Sequence, residues 1–241
     1  MSCNNSTNIF LISLVSGMTS DIRSSSVEQR PWMTFAYAFS VTLLVASALL
    51  SNALSLDTFR QAQIRSTTVG KYLIAYSCCS IFGVIMLESR LFRMLDSFSY
   101  ETSVLLCSVI SGLASISTRL CLWLNSIIAL QRSLQSFQGS PLLNRICARM
   151  NALTQIFLVT IGISLMHVHE FIYRVSVADP QSEEDFICQI LYTPSVLSMN
   201  TIFSFIHLFV PFGFTVLANC IILASLSRRK AALHPTTYWT P

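Results

Sequence analysis

The sequence predicts an all-α fold, a polytopic bundle of membrane helices, and three observations carry that expectation. Only 11% of the 241 residues are Asp, Glu, Lys or Arg, while 53% are hydrophobic. Soluble domains carry roughly a quarter of their residues charged. This chain cannot cover itself with a solvated surface, so lipid must stand in for water over much of it. The apolar residues gather into five stretches of membrane-crossing size, and the remaining charges lie mostly between them, sorted by sign.

The first stretch runs from Met33 to Leu56 and the second from Tyr72 to Leu87. The third covers Val104 to Leu130, the fourth Ala152 to Val168, and the fifth Leu197 to Leu226. A helix rises 1.5 Å per residue, so about 20 residues cross a hydrocarbon core of about 30 Å. The second and fourth are short and need their polar flanks to reach the interfaces. Pro211 inside the fifth is no objection, because spanning helices tolerate an internal proline. A further apolar run, Ile9 to Val15, is too short to span and lacks a preceding basic cluster; it reads as part of a partly ordered tail more than as a signal segment. The expected organisation is an outside tail at 1–31, a transmembrane region at 32–229 and an inside tail at 230–241.

Charge orients the bundle. Arg60, Arg65 and Lys71 lie between the first two stretches, opposed by Asp57. Arg132, Arg145 and Arg149 lie between the third and fourth, and Arg228, Arg229 and Lys230 follow the fifth, with no acid. The other side holds ten of the eleven acids, among them Glu183, Glu184 and Asp185. By the positive-inside rule the N-terminus is outside and the C-terminus inside, which an odd number of crossings also requires. The basic residues are otherwise scattered singly, which excludes a nucleic-acid footprint. A transporter would show repeat symmetry and broken helices at midplane; the sequence has neither.

Among chemistry-bearing residues, Asn4 and Asn5 each open an Asn-X-Ser/Thr triplet in the outside tail, a glycosylation acceptor pattern that also arises by chance. The eight cysteines include no pair with zinc-site spacing to a histidine, so no metal is expected. Most read as small apolar packing residues. Cys107, at the outer end of the third stretch, and Cys188, in the outside loop between the fourth and fifth, both face an oxidising compartment where a bridge can persist; two unrelated free thiols are the alternative. Arg119 lies near the middle of the third stretch, where an arginine costs roughly 2.5–3.5 kcal/mol on insertion scales and needs a partner or a wet cavity. Glu170, His167 and His169 lie near the outer end of the fourth, either reached by a cavity or solvated at the interface. No HExxH, phosphate loop or nucleophile–base pairing is present. The expectation is a non-enzyme without cofactor.

At the inner end of the third stretch stands Leu130-Gln131-Arg132-Ser133, and Arg132 lies twenty-five residues after Cys107. That spacing resembles the third helix of rhodopsin-like G-protein-coupled receptors, which begins with a cysteine and ends in an Asp/Glu-Arg-Tyr motif. Cys188 is similar to the loop cysteine that bridges it in that family. Asn52 in Leu50-Ser51-Asn52-Ala53 looks like the family's first-helix asparagine, and Pro211 like its fifth-helix proline. The run Leu122 to Arg132 resembles a divergent invertebrate receptor of this class. The resemblance covers roughly Trp32 to Arg229. It implies five helices of a seven-helix fold in the plasma membrane, an extracellular ligand, and a heterotrimeric G protein inside for the full-length form. Gln131, Arg132 and Ser133 would be the G-protein contact, and Asn52, Ser80, Arg119 and Pro211 polar or packing positions within the bundle.

Departures accompany it. Gln131 and Ser133 replace the motif's acid and tyrosine, so its resting-state clasp is missing. Ser80 stands where the family has a sodium-binding aspartate, and Ala114 where amine receptors keep an acid, which disfavours an aminergic ligand. After the fifth stretch no further apolar run occurs before Pro241. The sequence therefore reads as a receptor fragment truncated after the fifth helix, or alternatively as a non-signalling membrane protein that pairs with a full-length receptor.

Overall fold

A computed structural model of the chain describes residues 31–95, 100–136, 151–179 and 182–233, with side chains described at 32, 35–89, 107–136, 151–176 and 190–228. The described helices are α1 (Pro31–Phe59), α2 (Ala62–Arg65), α3 (Thr68–Leu95), α4 (Tyr100–Ser136), α5 (Ala152–Met166), α6 (Val168–Tyr173) and α7 (Pro194–Leu233). Among the described residues five spans are long and apolar enough to cross a membrane: Phe35–Phe59, Thr68–Ser89, Cys107–Ser136, Ala152–Tyr173 and Pro194–Arg228. The chain is a polytopic helical membrane bundle.

The ends of these helices follow from their sequences. Pro31 and Pro194 open α1 and α7, where the missing proline N–H would have had no intrahelical partner. Asn151 caps α5, its side-chain oxygen accepting from the Leu153 amide at 3.3 Å. Two expectations need correction. The second span starts at Thr68, ahead of Tyr72, and runs to Ser89, giving 22 residues, and its helix α3 continues to Leu95. The fourth span continues past Val168 as α6, giving 22 residues from Ala152 to Tyr173. Neither is short, because the polar residues taken as boundaries sit inside helices.

The loop after α6 contains an antiparallel hairpin, β1 (Arg174–Asp179) with β2 (Ser182–Ile190), in the register Arg174↔Ile190 and Ser176↔Cys188. The β-branched and aromatic residues Val175 and Val177 in β1, and Phe186 and Ile187 in β2, are favoured in strands. The acidic composition of this loop hid that propensity.

Helix α4 is the centre of the bundle, packing against α3, α5, α6, α7 and both strands, whereas α1 packs chiefly on α3. The principal apolar core joins Tyr72 of α3, Leu120, Leu124 and Ile128 of α4, and Ala152 and Ile163 of α5. The Tyr72 hydroxyl donates to Gln155 Oε1 across this core. Close approach is made through small residues. A Cβ on Gly112 of α4 would come within 2.7 Å of the Phe171 ring on α6. Outward faces carry large apolar side chains such as Phe35, Leu44, Phe157, Leu165, Phe209 and Phe212. In water such a surface would drive aggregation; in lipid it is the solvated one.

Candidate functional site

The site begins with a break in the fourth span. At His167 the backbone leaves helical geometry (φ −108°, ψ 8°) and α6 restarts at Val168. The His167 amide is shared between the carbonyls of Ile163 and Ser164, and the Glu170 amide donates to the His167 carbonyl. This turn leaves Glu170 inside the bundle, 2% exposed. Its Oε1 lies 3.2 Å from Arg119 NH1 of α4 and 3.2 Å from His167 Nδ1. Its Oε2 accepts from Arg174 NH2 at 2.8 Å, and the Ser115 hydroxyl also bonds the carboxylate. The His167 contact is one of distance only, since neither ring nitrogen has a hydrogen-bond partner.

One carboxylate thus serves two guanidiniums. Burying an ion costs several kcal/mol after relaxation, and only close, well-bonded counter-charges offset it. Two guanidiniums against one carboxylate leave one surplus positive charge.

A histidine layer adjoins it. Trp123 Nε1 of α4 donates to His207 Nδ1 of α7 at 2.8 Å, which leaves the neutral His207 proton on Nε2. That nitrogen is buried and without a partner. The rings of His207 and His167 are 5.0 Å apart. His169 is held from both ends, Nδ1 at 2.9 Å from the Met166 carbonyl and Nε2 at 3.1 Å from Asn200 Oδ1. Beside it, burial pushes the Tyr192 phenol up, the Glu170 charge adding to the effect.

His167, His169 and Glu170 offer ligand atoms within 4.8 Å of one another. They do not suit a metal dication. Both His169 nitrogens are engaged, and a cation at Glu170 would sit against two guanidiniums already bonded there.

Between α3, α4 and α7 opens a cavity of about 580 Å³. Val84, Leu122 and Leu208 give it apolar walls, and Arg119, Ser204 and His207 bring polar groups. This volume lies within the usual range of small-ligand pockets, about 300–1,000 Å³.

The residues singled out in the sequence fall in separate places. Asn52 Nδ2 of α1 donates to Ser80 Oγ of α3 at 3.0 Å and to the Ala48 carbonyl at 2.8 Å. Ser80 also lines the cavity, as does Ala114. Pro211 is buried within α7. Having no N–H, it cannot supply the bond that the His207 carbonyl would receive in a regular helix. Arg132 is exposed near the C-terminal end of α4. Ser133 is buried there and donates to the Leu130 carbonyl at 2.8 Å, while Gln131 is half-buried. Cys107 is fully buried, its Sγ 3.6 Å from the Val175 carbonyl. Cys188 pairs through its backbone with Ser176, the next residue along β1. Asn4 and Asn5 lie outside the described residues.

The Arg119–Glu170 pair is the link that sequence reasoning missed. Both residues were noted, but on different helices with nothing to join them. A usable signal existed: one arginine and one glutamate in otherwise apolar spans must find counter-charges in lipid, and each is the other's nearest opportunity.

Fold and site together define a class: a helical membrane protein with a buried ion cluster beside a cavity shared by three spans. No family model matches the chain. The chain is similar to the B1 bradykinin receptor of the dog, Canis lupus familiaris, at 23% identity over 191 residues. That match covers 78% of this chain and 53% of the receptor, so the chain spans about half the length of the curated relative it matches.

Proposed function

We propose that the chain acts as a rhodopsin-like G-protein-coupled receptor, or the portion of one that spans α1 to α7. It sits in the plasma membrane with its N-terminus outside. It takes an extracellular ligand into the cavity between α3, α4 and α7, and meets a heterotrimeric G protein at Gln131, Arg132 and Ser133. The observation that carries this reading is the build of α4. One unbroken helix holds buried Cys107 under the hairpin at one end and exposed Arg132 at the other, with the cavity along its side. The similarity to a receptor over most of the chain supports it.

The same reading pairs Cys107 with Cys188. In support, Cys107 is buried with its Sγ 3.6 Å from the Val175 carbonyl of β1, and the strand register brings the Cys188 backbone alongside Ser176, the next residue of that strand. The closed loop is long, worth about 4–5 kcal/mol at most in the chain-entropy account. Replacing either cysteine by serine is expected to reduce surface expression, and to the same degree as replacing both. Additive losses, or peptide maps showing both thiols free in secretory-pathway material, would reject the bridge. Glycans at Asn4 and Asn5, lost on changing both to Gln, would place the N-terminus outside.

Because the match leaves out about half of the canine receptor, the test of signalling supplies that half. Residues 32–229 joined to the unmatched part of the receptor are expected to promote nucleotide exchange on a G protein in purified membranes. Arg132→Ala should remove that exchange while surface level is kept. Exchange unaffected by Arg132→Ala, at equal surface level, would overturn the assignment of the inner end of α4.

A further inference from the structure

We propose that the cavity between α3, α4 and α7 recognises a carboxylate-bearing ligand with an apolar body, held by the Arg119 guanidinium. The inference deepens the receptor reading, since it rests on the cavity being the ligand site. Among the described residues that line the cavity, Arg119 is the only formally charged one, and none is acidic. Its counter-ion, Glu170, lies behind it, is almost fully buried, and is shared with Arg174. The site therefore faces the cavity with positive charge uncompensated among the described residues. Glu88, next to lining residue Leu87, is not itself among the described lining residues. Its Oε1 accepts from Thr42 of α1 at 3.3 Å, and its Oε2 is buried without a hydrogen-bond partner among the described residues.

The remaining polar groups suit an anionic acceptor as well. Ser204 and His207 line the same space, and the buried His207 Nε2–H lacks an acceptor among the described residues; the Ser115 and Thr118 hydroxyls, also at the lining, are already engaged with Glu170 and the Ala114 carbonyl. A guanidinium has five donors in a planar fork that matches a carboxylate, and Arg119 gives Glu170 contact through NH1. Low dielectric around the cavity strengthens the attraction. An amine would instead meet Arg119 as a like charge. The apolar walls take the body of the ligand, and the volume bounds it to a small molecule or the end of a chain.

The test uses the chain purified into phosphatidylcholine nanodiscs, with Trp32→Phe and Trp239→Phe so that Trp123, bonded to His207 beside the cavity, reports alone. The probes are 1-pyrenebutyrate and its uncharged methyl ester, titrated for quenching of Trp123 emission. Saturable quenching is expected for both, with the acid effective at a concentration about tenfold or more below the ester, the scale of one charged hydrogen bond. Arg119→Lys should keep the acid preference. Arg119→Gln combined with Glu170→Gln, which removes the charge pair together, should bring acid and ester level. Ala114→Phe, which fills the cavity, should weaken both probes.

Equal affinity for acid and ester, both weakened by Ala114→Phe, would overturn the anion preference and leave the cavity as a ligand site. An acid preference that survives the double Gln variant would overturn the role of Arg119. Quenching that never saturates, or that ignores Ala114→Phe, would overturn the cavity reading and the inference with it. Should the double variant fail to fold, the wild-type acid-to-ester ratio and the Arg119→Lys and Ala114→Phe titrations still decide.

Discussion

Arg119 and Arg132 are thirteen residues apart on the same helix, about 20 Å along its axis, and the structure treats them oppositely. Arg119 is mostly buried and bonded to Glu170. Arg132 is exposed near the C-terminal end of α4. The difference teaches that a charge in a membrane protein has to be read by depth. At midspan it must be paired inside the bundle, because lipid offers no solvation. At the end of the span it reaches headgroups and water, and is free to meet another protein.

The comparison can be broken hardest at the carboxylate. Glu170→Ala leaves Arg119 and Arg174 facing each other without their shared counter-charge. A loss of about 3–5 kcal/mol is expected, as when a buried ion pair loses one partner. Fluorescence-detected size exclusion of detergent extracts should show little monodisperse protein. A normal profile would mean the cluster is solvated instead of buried.

Arg119→Leu should cost less, about 2 kcal/mol, because Arg174 still bonds Glu170. Thermal aggregation in detergent is the measurement, and a melting point equal to wild type would place Arg119 at a wet surface. Asn52→Ala removes the α1–α3 bond to Ser80. Interhelical hydrogen bonds in membranes average about 0.6 kcal/mol, so a small but resolvable drop is expected, and Ser80→Ala should match it without adding to it. Smallest of all is Arg132→Ala, with a stability change within about 0.5 kcal/mol, as for surface substitutions generally. A large loss of folded protein there would reverse the two roles.

The five crossings were legible because hydropathy over some twenty residues survives any arrangement of the helices. Their ends were less so. Glu88 and Glu170 looked like boundaries, yet both lie within helices, one bonded to Thr42 and one to Arg119. The hairpin was obscured by a loop whose acids dominated its composition. Asn52 and Ser80 were each visible as polar residues in apolar helices; their mutual bond depends on how α1 is rotated against α3, which no local pattern encodes.

What the sequence determined by itself is the solvent and the number of crossings. Both are sums over residues along the chain: low charge, long apolar runs, and basic residues collected on alternate connections. Which helix would be central was decided only in three dimensions. The spans of α1 and α4 are both apolar enough to cross a membrane, yet far more of the α4 span is buried inside the bundle. The same holds for the site. Arg119, Glu170 and Arg174 meet because α5 breaks at His167 and returns the chain inward at Glu170. Charge pairing acts over a few ångströms in space, and contact between segments fifty residues apart is a property of packing that the order of residues does not display.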